Sequence, residues 1–378
     1  MMKPIKMVDL KGQYDRIKDE IDSAIREVVE SNAFINGPAV GRFQKNLEAY
    51  LGVKHVIPCA NGTDALQVAM MAAGLKPGDE VITVSFTFVS TVEVIALLGL
   101  KPVLVDVMPD TFNMDIMAVK KAITPRTRAI VPVHLFGQCV DMEPLMQIAR
   151  EHHLIVIEDA CQAIGAEYRF SDRTVRKAGT IGDIGAVSFF PSKNLGAYGD
   201  GGALFTDSDE LARQMRGIVN HGMFTRYYHD YIGVNSRLDS IQAGILDVKL
   251  RYLDGYARSR QQAADYYDRG FSGDPKIRIP YRAPYSSHVF HQYTLQIEGA
   301  DRDALQQSLQ QKGIPAMIYY PVPLHLQKAY AETGSRKGDL PVTEALCHKV
   351  LSLPMHTELD REQQDHIIAS IHEYLNTN

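Results

Sequence analysis

Apolar residues recur at helical spacing between positions 13 and 31, at Ile17, Ile21, Ile25, Val28 and Val29, which predicts an amphipathic helix. Asn36-Gly37-Pro38 interrupts the pattern, and a second helix is predicted over 40–51. Beyond it, short apolar runs alternate with helical patterns. The runs at 53–58, 80–84, 102–107, 129–133 and 155–157 read as strands, and 62–73, 87–98, 115–122 and 142–152 read as helices. These runs are apolar on both faces, as strands covered by helices should be. Strands alternating with helices of about 10–15 residues imply βαβ units and a mainly parallel sheet.

Two more strands are expected at 185–190 and 202–206, with a helix at 209–220. A long helical stretch from 238 to 253, continuing to 267, should link two domains. A strand at 291–297, a helix at 301–312, a strand at 316–320 and a helix at 361–374 then suggest a smaller α/β unit. The chain has 378 residues, more than one hydrophobic core usually serves. The expected division is a large domain over 1–250, including an N-terminal helical arm, and a small C-terminal domain over 251–378.

Composition narrows the function. Hydrophobic residues are 45% of the chain, charged residues 22%, and the net charge is −5. A mildly acidic chain without a basic cluster argues against nucleic acid as a partner. No apolar run approaches the ~20 residues of a membrane span. The start, Met1-Met2-Lys3-Pro4-Ile5-Lys6, lacks the apolar segment of a signal peptide. Cys59, Cys139, Cys161 and Cys347 share no metal-site spacing and read as buried, reduced thiols, so no metal is expected. A cytoplasmic protein follows.

In an open parallel sheet, ligands bind beyond the carboxyl ends of the strands. Asn61-Gly62-Thr63-Asp64-Ala65 follows the first strand and opens a helix, whose N–H groups suit a phosphate. A helix-capping role would serve Asn61 or Thr63 equally well. Glu158-Asp159-Ala160-Cys161-Gln162 ends an apolar strand, and a carboxylate there needs a partner. Asp159 either meets a protonated ring nitrogen or caps the next helix. Lys193 follows a strand and precedes the glycine-rich turn Gly199-Asp200-Gly201-Gly202. Aromatic, glycine and proline flanks mark a pocket rather than a charged surface. In such a pocket a lysine can act as an amine nucleophile. Together the pieces fit pyridoxal phosphate, which needs an imine lysine, an acid at its ring nitrogen, a phosphate cradle and a stacking aromatic. Lys193, Asp159, Gly62-Thr63 with Ser188, and Phe88 would supply these in turn. A Rossmann-like nucleotide binder is disfavoured, because no Gly-x-Gly-x-x-Gly turn follows the first strand.

On these segments, with Val133 to Gln138 and Gly233-Val234-Asn235-Ser236-Arg237-Leu238, the chain resembles the DegT/DnrJ/EryC1/StrS family of nucleotide-sugar aminotransferases. The resemblance runs from Asp9-Leu10 to Leu353-Pro354-Met355-His356. It implies fold type I, with a mainly parallel seven-stranded sheet in the large domain. It also implies that Lys193 binds the cofactor as a Schiff base and moves the proton, and that Asp159 pairs with the pyridine nitrogen. Gln162 would bond the phenolic oxygen, and Phe88 would stack on the ring. Gly62, Thr63 and Ser188 would hold the phosphate. Asn235 would reach the cofactor phosphate of a second copy, making a homodimer with shared sites. Arg237, Tyr319 and Tyr320 are the expected substrate residues, Arg237 through a carboxylate. Glutamate would be the amino donor. The nearest subgroup aminates UDP-2-acetamido-2-deoxy-3-oxo-glucuronate, for surface polysaccharide, with dTDP- or GDP-linked 3-keto or 4-keto sugars as alternatives. A related dehydratase branch carries histidine in place of the lysine, so Lys193 favours amination. A regulator that binds the cofactor without turnover is the remaining reading.

Overall fold

Most residues of the strand runs are buried, and alternate residues feed different cores. A computed structural model describes residues 3–377. Met1 and Met2, at the head of the segment read for a leader, lie outside the described residues, as does Asn378. Seven strands make the main sheet: β1 (His55–Cys59), β2 (Glu80–Val84), β3 (Lys101–Val105), β4 (Thr127–Ile130), β5 (Ile155–Asp159), β6 (Ile184–Ser188) and β7 (Gly202–Thr206). Their order is β1-β7-β6-β5-β4-β2-β3. β7 is antiparallel to both its neighbours, and the others run parallel.

Period-two alternation explains the layering. Val81, Ala129, Ile157, Ile184 and Leu204 join Leu66, Met70 and Met215 in one core. Their chain neighbours Ile82, Ile130 and Val156 enter another core with Leu145 and Ala149. Val56, Val187 and Phe205 pack with Phe43, Leu47 and Leu246 in a third. Every strand residue of β2 and β7 is buried, which accounts for the continuous apolar runs.

The C-terminal part has its own core around Tyr267, Phe271, Leu295, Leu305, Leu353 and Ile371. It is built on a small antiparallel sheet of β8 (Ile277–Arg278), β9 (Tyr293–Ile297) and β10 (Val350–Leu353). Three expectations change. The first helix is two, Leu10–Arg16 and Lys18–Ser31, parted at Ile17. The long helical stretch is also two, Ser240–Leu250 and Leu253–Phe271. The strand expected at 316–320 does not form. Only Met317 bridges Ser352, and Tyr319 and Tyr320 turn toward the main sheet instead. Helix Pro341–Lys349 and β10, for which no element was expected, fill that space. The polar stretch 170–179 is part of a hairpin pairing Glu167–Arg169 with Val175–Lys177. Among the described residues, no helix is long and apolar enough to cross a membrane.

One buried charge tests this packing. Lys249, only 1% exposed, sends its Nζ to the Gly196 carbonyl at 2.5 Å. Burial, aided by the Arg260 charge, lowers its pKa from 10.5 to about 8. Between these values the unfolded chain binds more protons than the folded one, so stability rises with pH across that window. Relative to Lys249→Met, the native protein should gain up to about 3 kcal/mol from pH 8 to 10.5 in paired denaturant titrations. A constant difference would refute the assignment.

Candidate functional site

The carboxyl ends of β2, β4, β5 and β6 open into one cavity of about 690 Å³. Its walls include Gly62, Thr63, Phe88, Asp159, Gln162, Ser188, Lys193, Tyr319 and Tyr320, so nine of the eleven expected site residues converge there. Asn235 and Arg237 do not line it. Their segment passes the end of β1, where the Ala60 N–H donates to Ser236 Oγ at 3.1 Å, and Asn235 itself is exposed.

Backbone register brings the phosphate candidates together. Cys59, Gly202 and Ser188 lie on one rung across β1, β7 and β6. A Cβ on Gly202 would sit 2.4 Å from the Asn61 backbone, and one on Gly62 would sit 2.7 Å from Ser188 Cβ. Glycine alone lets the start of helix Gly62–Ala72 approach the end of β6. Asn61 caps this helix, its Oδ1 accepting from the Asp64 N–H at 2.8 Å. That leaves the Thr63 hydroxyl to meet Ser90 Oγ at 2.8 Å beside the cavity. Free N–H groups, hydroxyls and the positive helix end suit an anion.

Asp159 ends β5 and is buried. Thr91 Oγ1 donates to its Oδ2 at 2.8 Å, and the Cys161 N–H to its Oδ1 at 3.2 Å. No helix follows, so the helix-capping alternative for Asp159 does not apply. Helix Ser90–Leu97 starts three residues later than expected, which leaves Thr87, Phe88 and Val89 as a loop. Phe88 is 55% exposed on the cavity wall, free to cover a flat ring. Gln162 has its amide fixed: Oε1 accepts from the Phe136 N–H at 2.9 Å, so Nε2 is the donor side and reaches Tyr320 Oη at 3.1 Å. Phe136 holds that N–H in place at a φ of 57°.

Lys193 is half-buried in the cavity wall. Burial lowers the pKa of its amine, opposed by Cys161 and Asp159. More of it is therefore neutral and nucleophilic near pH 7 than of a surface lysine. Cys161, half-buried beside it, stays a thiol because burial and the Asp159 charge raise its pKa. Thr91, Asp200, His291 and Gln292 also line the cavity and were assigned no role from sequence. Thr91 lies in the first turn of the helix after Phe88, whereas His291 and Gln292 come from a distant strand entrance with no motif of their own.

A model of the DegT/DnrJ/EryC1/StrS aminotransferase family matches residues 15–372. The chain belongs to this family. A Geobacillus stearothermophilus protein named a pleiotropic regulatory protein is 47% identical, over 98% of this chain and 98% of its own. The UDP-2-acetamido-2-deoxy-3-oxo-D-glucuronate aminotransferase of Pseudomonas aeruginosa is 44% identical, over 97% of this chain and 99% of its own. An S. venezuelae structure solved with a ketimine intermediate superposes with a TM-score of 0.94 at 39% identity, covering 99% of each chain. The protein is a sugar aminotransferase that uses pyridoxal phosphate. The residues present fit that group: a glycine-lined cradle at a helix start, a carboxylate with both oxygens oriented, and one lysine in the same cavity. Among the described residues no cluster could hold a metal ion.

Gly62→Ala should therefore weaken pyridoxal-phosphate binding at least tenfold in an absorbance titration. It should also cost about 1–3 kcal/mol of stability, because the added methyl pushes the helix start off Ser188. Unchanged affinity would show that the cradle lies elsewhere.

Proposed function

We propose that the enzyme transfers the amino group of glutamate to a UDP-linked 3-keto sugar, a uronate, in the cytoplasm, for surface-polysaccharide synthesis. The observation that carries amination is Lys193, a half-buried amine in one cavity with the oriented carboxylate of Asp159. The sugar is supported by the Pseudomonas aeruginosa enzyme at 44% identity over nearly the whole chain. Other relatives are named for dTDP-linked and GDP-linked sugars, which are the alternatives.

When bound, pyridoxal phosphate supplies an aldehyde that carries the amino group and a ring that accepts electrons. Lys193 would hold it through Nζ, and that amine, once released, would take the proton from the donor's α-carbon and later return it. Asp159, its carboxylate oriented by Thr91 Oγ1 and the Cys161 N–H, would pair with the ring nitrogen. Gln162 Nε2 would meet the phenolic oxygen, and Phe88 would cover the ring. Gly62, Thr63 and Ser188 would take the phosphate. Tyr319 and Tyr320 wall the substrate side. Asn235, exposed and outside its own cavity, would complete the site of a second copy in a homodimer, and Arg237 on the same segment would take a substrate carboxylate.

A regulatory reading is favoured by the names of the 47% identical relative and of a 39% identical Saccharopolyspora erythraea protein called a sensory transduction protein. The two readings are separated by turnover. Glutamate should convert the purified holoenzyme to its pyridoxamine form. Among UDP-, dTDP- and GDP-linked keto sugars, the UDP-3-keto uronate should restore the starting spectrum fastest. Restoration by a dTDP- or GDP-linked sugar alone would refute the substrate. Lys193→Ala should lose the lysine-bound spectrum and fall by at least about 10³-fold in turnover.

A further inference from the structure

His291 enters the cavity from the C-terminal part, just before β9, and faces the same space as Lys193. Its position is braced from three sides. Arg260 donates to the carbonyls of Phe290 and His291 at 3.0 and 3.4 Å, and to Met355 at 2.9 Å. The Asn194 amide, next to Lys193 in the chain, donates to the Val289 carbonyl at 3.0 Å. The Gln292 N–H reaches the Phe136 carbonyl at 3.4 Å. The backbone around His291 is thus tied to the segments that carry Lys193 and orient Gln162.

The ring is 7% exposed, and its Nδ1 is fully covered with no hydrogen-bond partner. Nε2 is not so covered, and His291 is part of the cavity wall. A buried N–H without a partner is rarer and costlier than a buried lone pair. The proton therefore belongs on Nε2, which makes that nitrogen a donor toward the cavity. Burial, with the Lys193 and Arg260 charges, pushes the pKa of the ring well below the usual histidine value, so it is neutral at pH 7.

We infer that His291 is a substrate-binding residue whose Nε2–H donates to the carbonyl oxygen of the amino acceptor. An attacking amine would form a C–N bond as the C=O π pair moves onto oxygen, where the Nε2–H meets it; the nitrogen's two protons would then pass to that oxygen, the C–O bond would break, and water would leave with C=N remaining. A neutral imidazole suits this task, because it polarises a carbonyl without surrendering a full charge to it. The inference rests on amino transfer to a carbonyl and holds for any sugar.

The test starts from holoenzyme in the pyridoxamine form and uses 2-oxoglutarate as the acceptor in single-turnover runs. His291→Phe preserves the ring's bulk and removes the donor. It should slow the reaction on the order of 10²-fold, while pyridoxal-phosphate affinity in an absorbance titration stays as in the wild type. His291→Gln puts an amide N–H at comparable reach and should recover most of that loss. A near-wild-type rate in His291→Phe overturns the inference, and so does equal loss in the Phe and Gln variants. Should His291→Phe fail to fold or bind cofactor, His291→Gln is compared with the shorter His291→Asn, and equal rates again overturn it. If the wild type itself ignores 2-oxoglutarate, glutamate is the wrong donor, and the same comparison is read with pyruvate.

Discussion

The active end of the molecule depends on how β5 ends. Two carboxylates stand side by side there, and because neighbouring strand residues face opposite ways, they meet different environments. Glu158 points into protein. Its oxygens take the His134 ring at 2.8 Å and the N–H groups of Gly179, Ile181 and Gly182 at 2.9, 2.5 and 2.5 Å. Burial alone would raise its pKa, but His134 and these N–H groups outweigh it, and the net shift is downward. Asp159 points into the cavity with only Thr91 and the Cys161 N–H to orient it. One carboxylate thus fixes the strand end and the 179–182 turn, and its neighbour is left to meet a ligand.

The same economy of satisfied groups shapes the rest of the rim. Asn61 takes the helix cap, so the Thr63 hydroxyl is left to pair with Ser90 Oγ beside the cavity. The Phe136 N–H fixes Gln162 Oε1, so its Nε2 can only donate. Gly62 and Gly202 let two strand ends and a helix start come within contact distance. Each arrangement uses up one polar valence within the fold and leaves a defined one facing the cavity. The result is a site whose donors and acceptors are set before any ligand arrives.

The C-terminal part supplies what the sheet rim lacks. Tyr319, Tyr320, His291 and Gln292 close the cavity from that side. They lie about a hundred or more positions beyond Lys193, on segments held by Arg260 and by the pairing of β9 with β10. The cavity is thus walled both by the sheet rim and by segments of the C-terminal part, of which Tyr319 and Tyr320 pack against the main-sheet core.

The sequence by itself determined much of this. Continuous apolar runs required buried strands, and alternation with helices required a mainly parallel sheet. Lys193, Asp159, Ser188 and Gly62-Thr63 stood out as candidates because each ends or follows a strand, whereas Gln162 came from the family resemblance. Tertiary structure decided the rest. Whether Asp159 capped a helix or faced a cavity depended on what followed Cys161 in space, and whether Asn61 or Thr63 made the cap depended on one side-chain geometry. The segment 316–320 carried a strand-like pattern, yet Tyr319 and Tyr320 were drawn toward the main sheet, because packing there outweighs local propensity. His291 carried no local signal at all. Its place beside Lys193 comes from long-range hydrogen bonds through Arg260 and Asn194, which no spacing in the chain records.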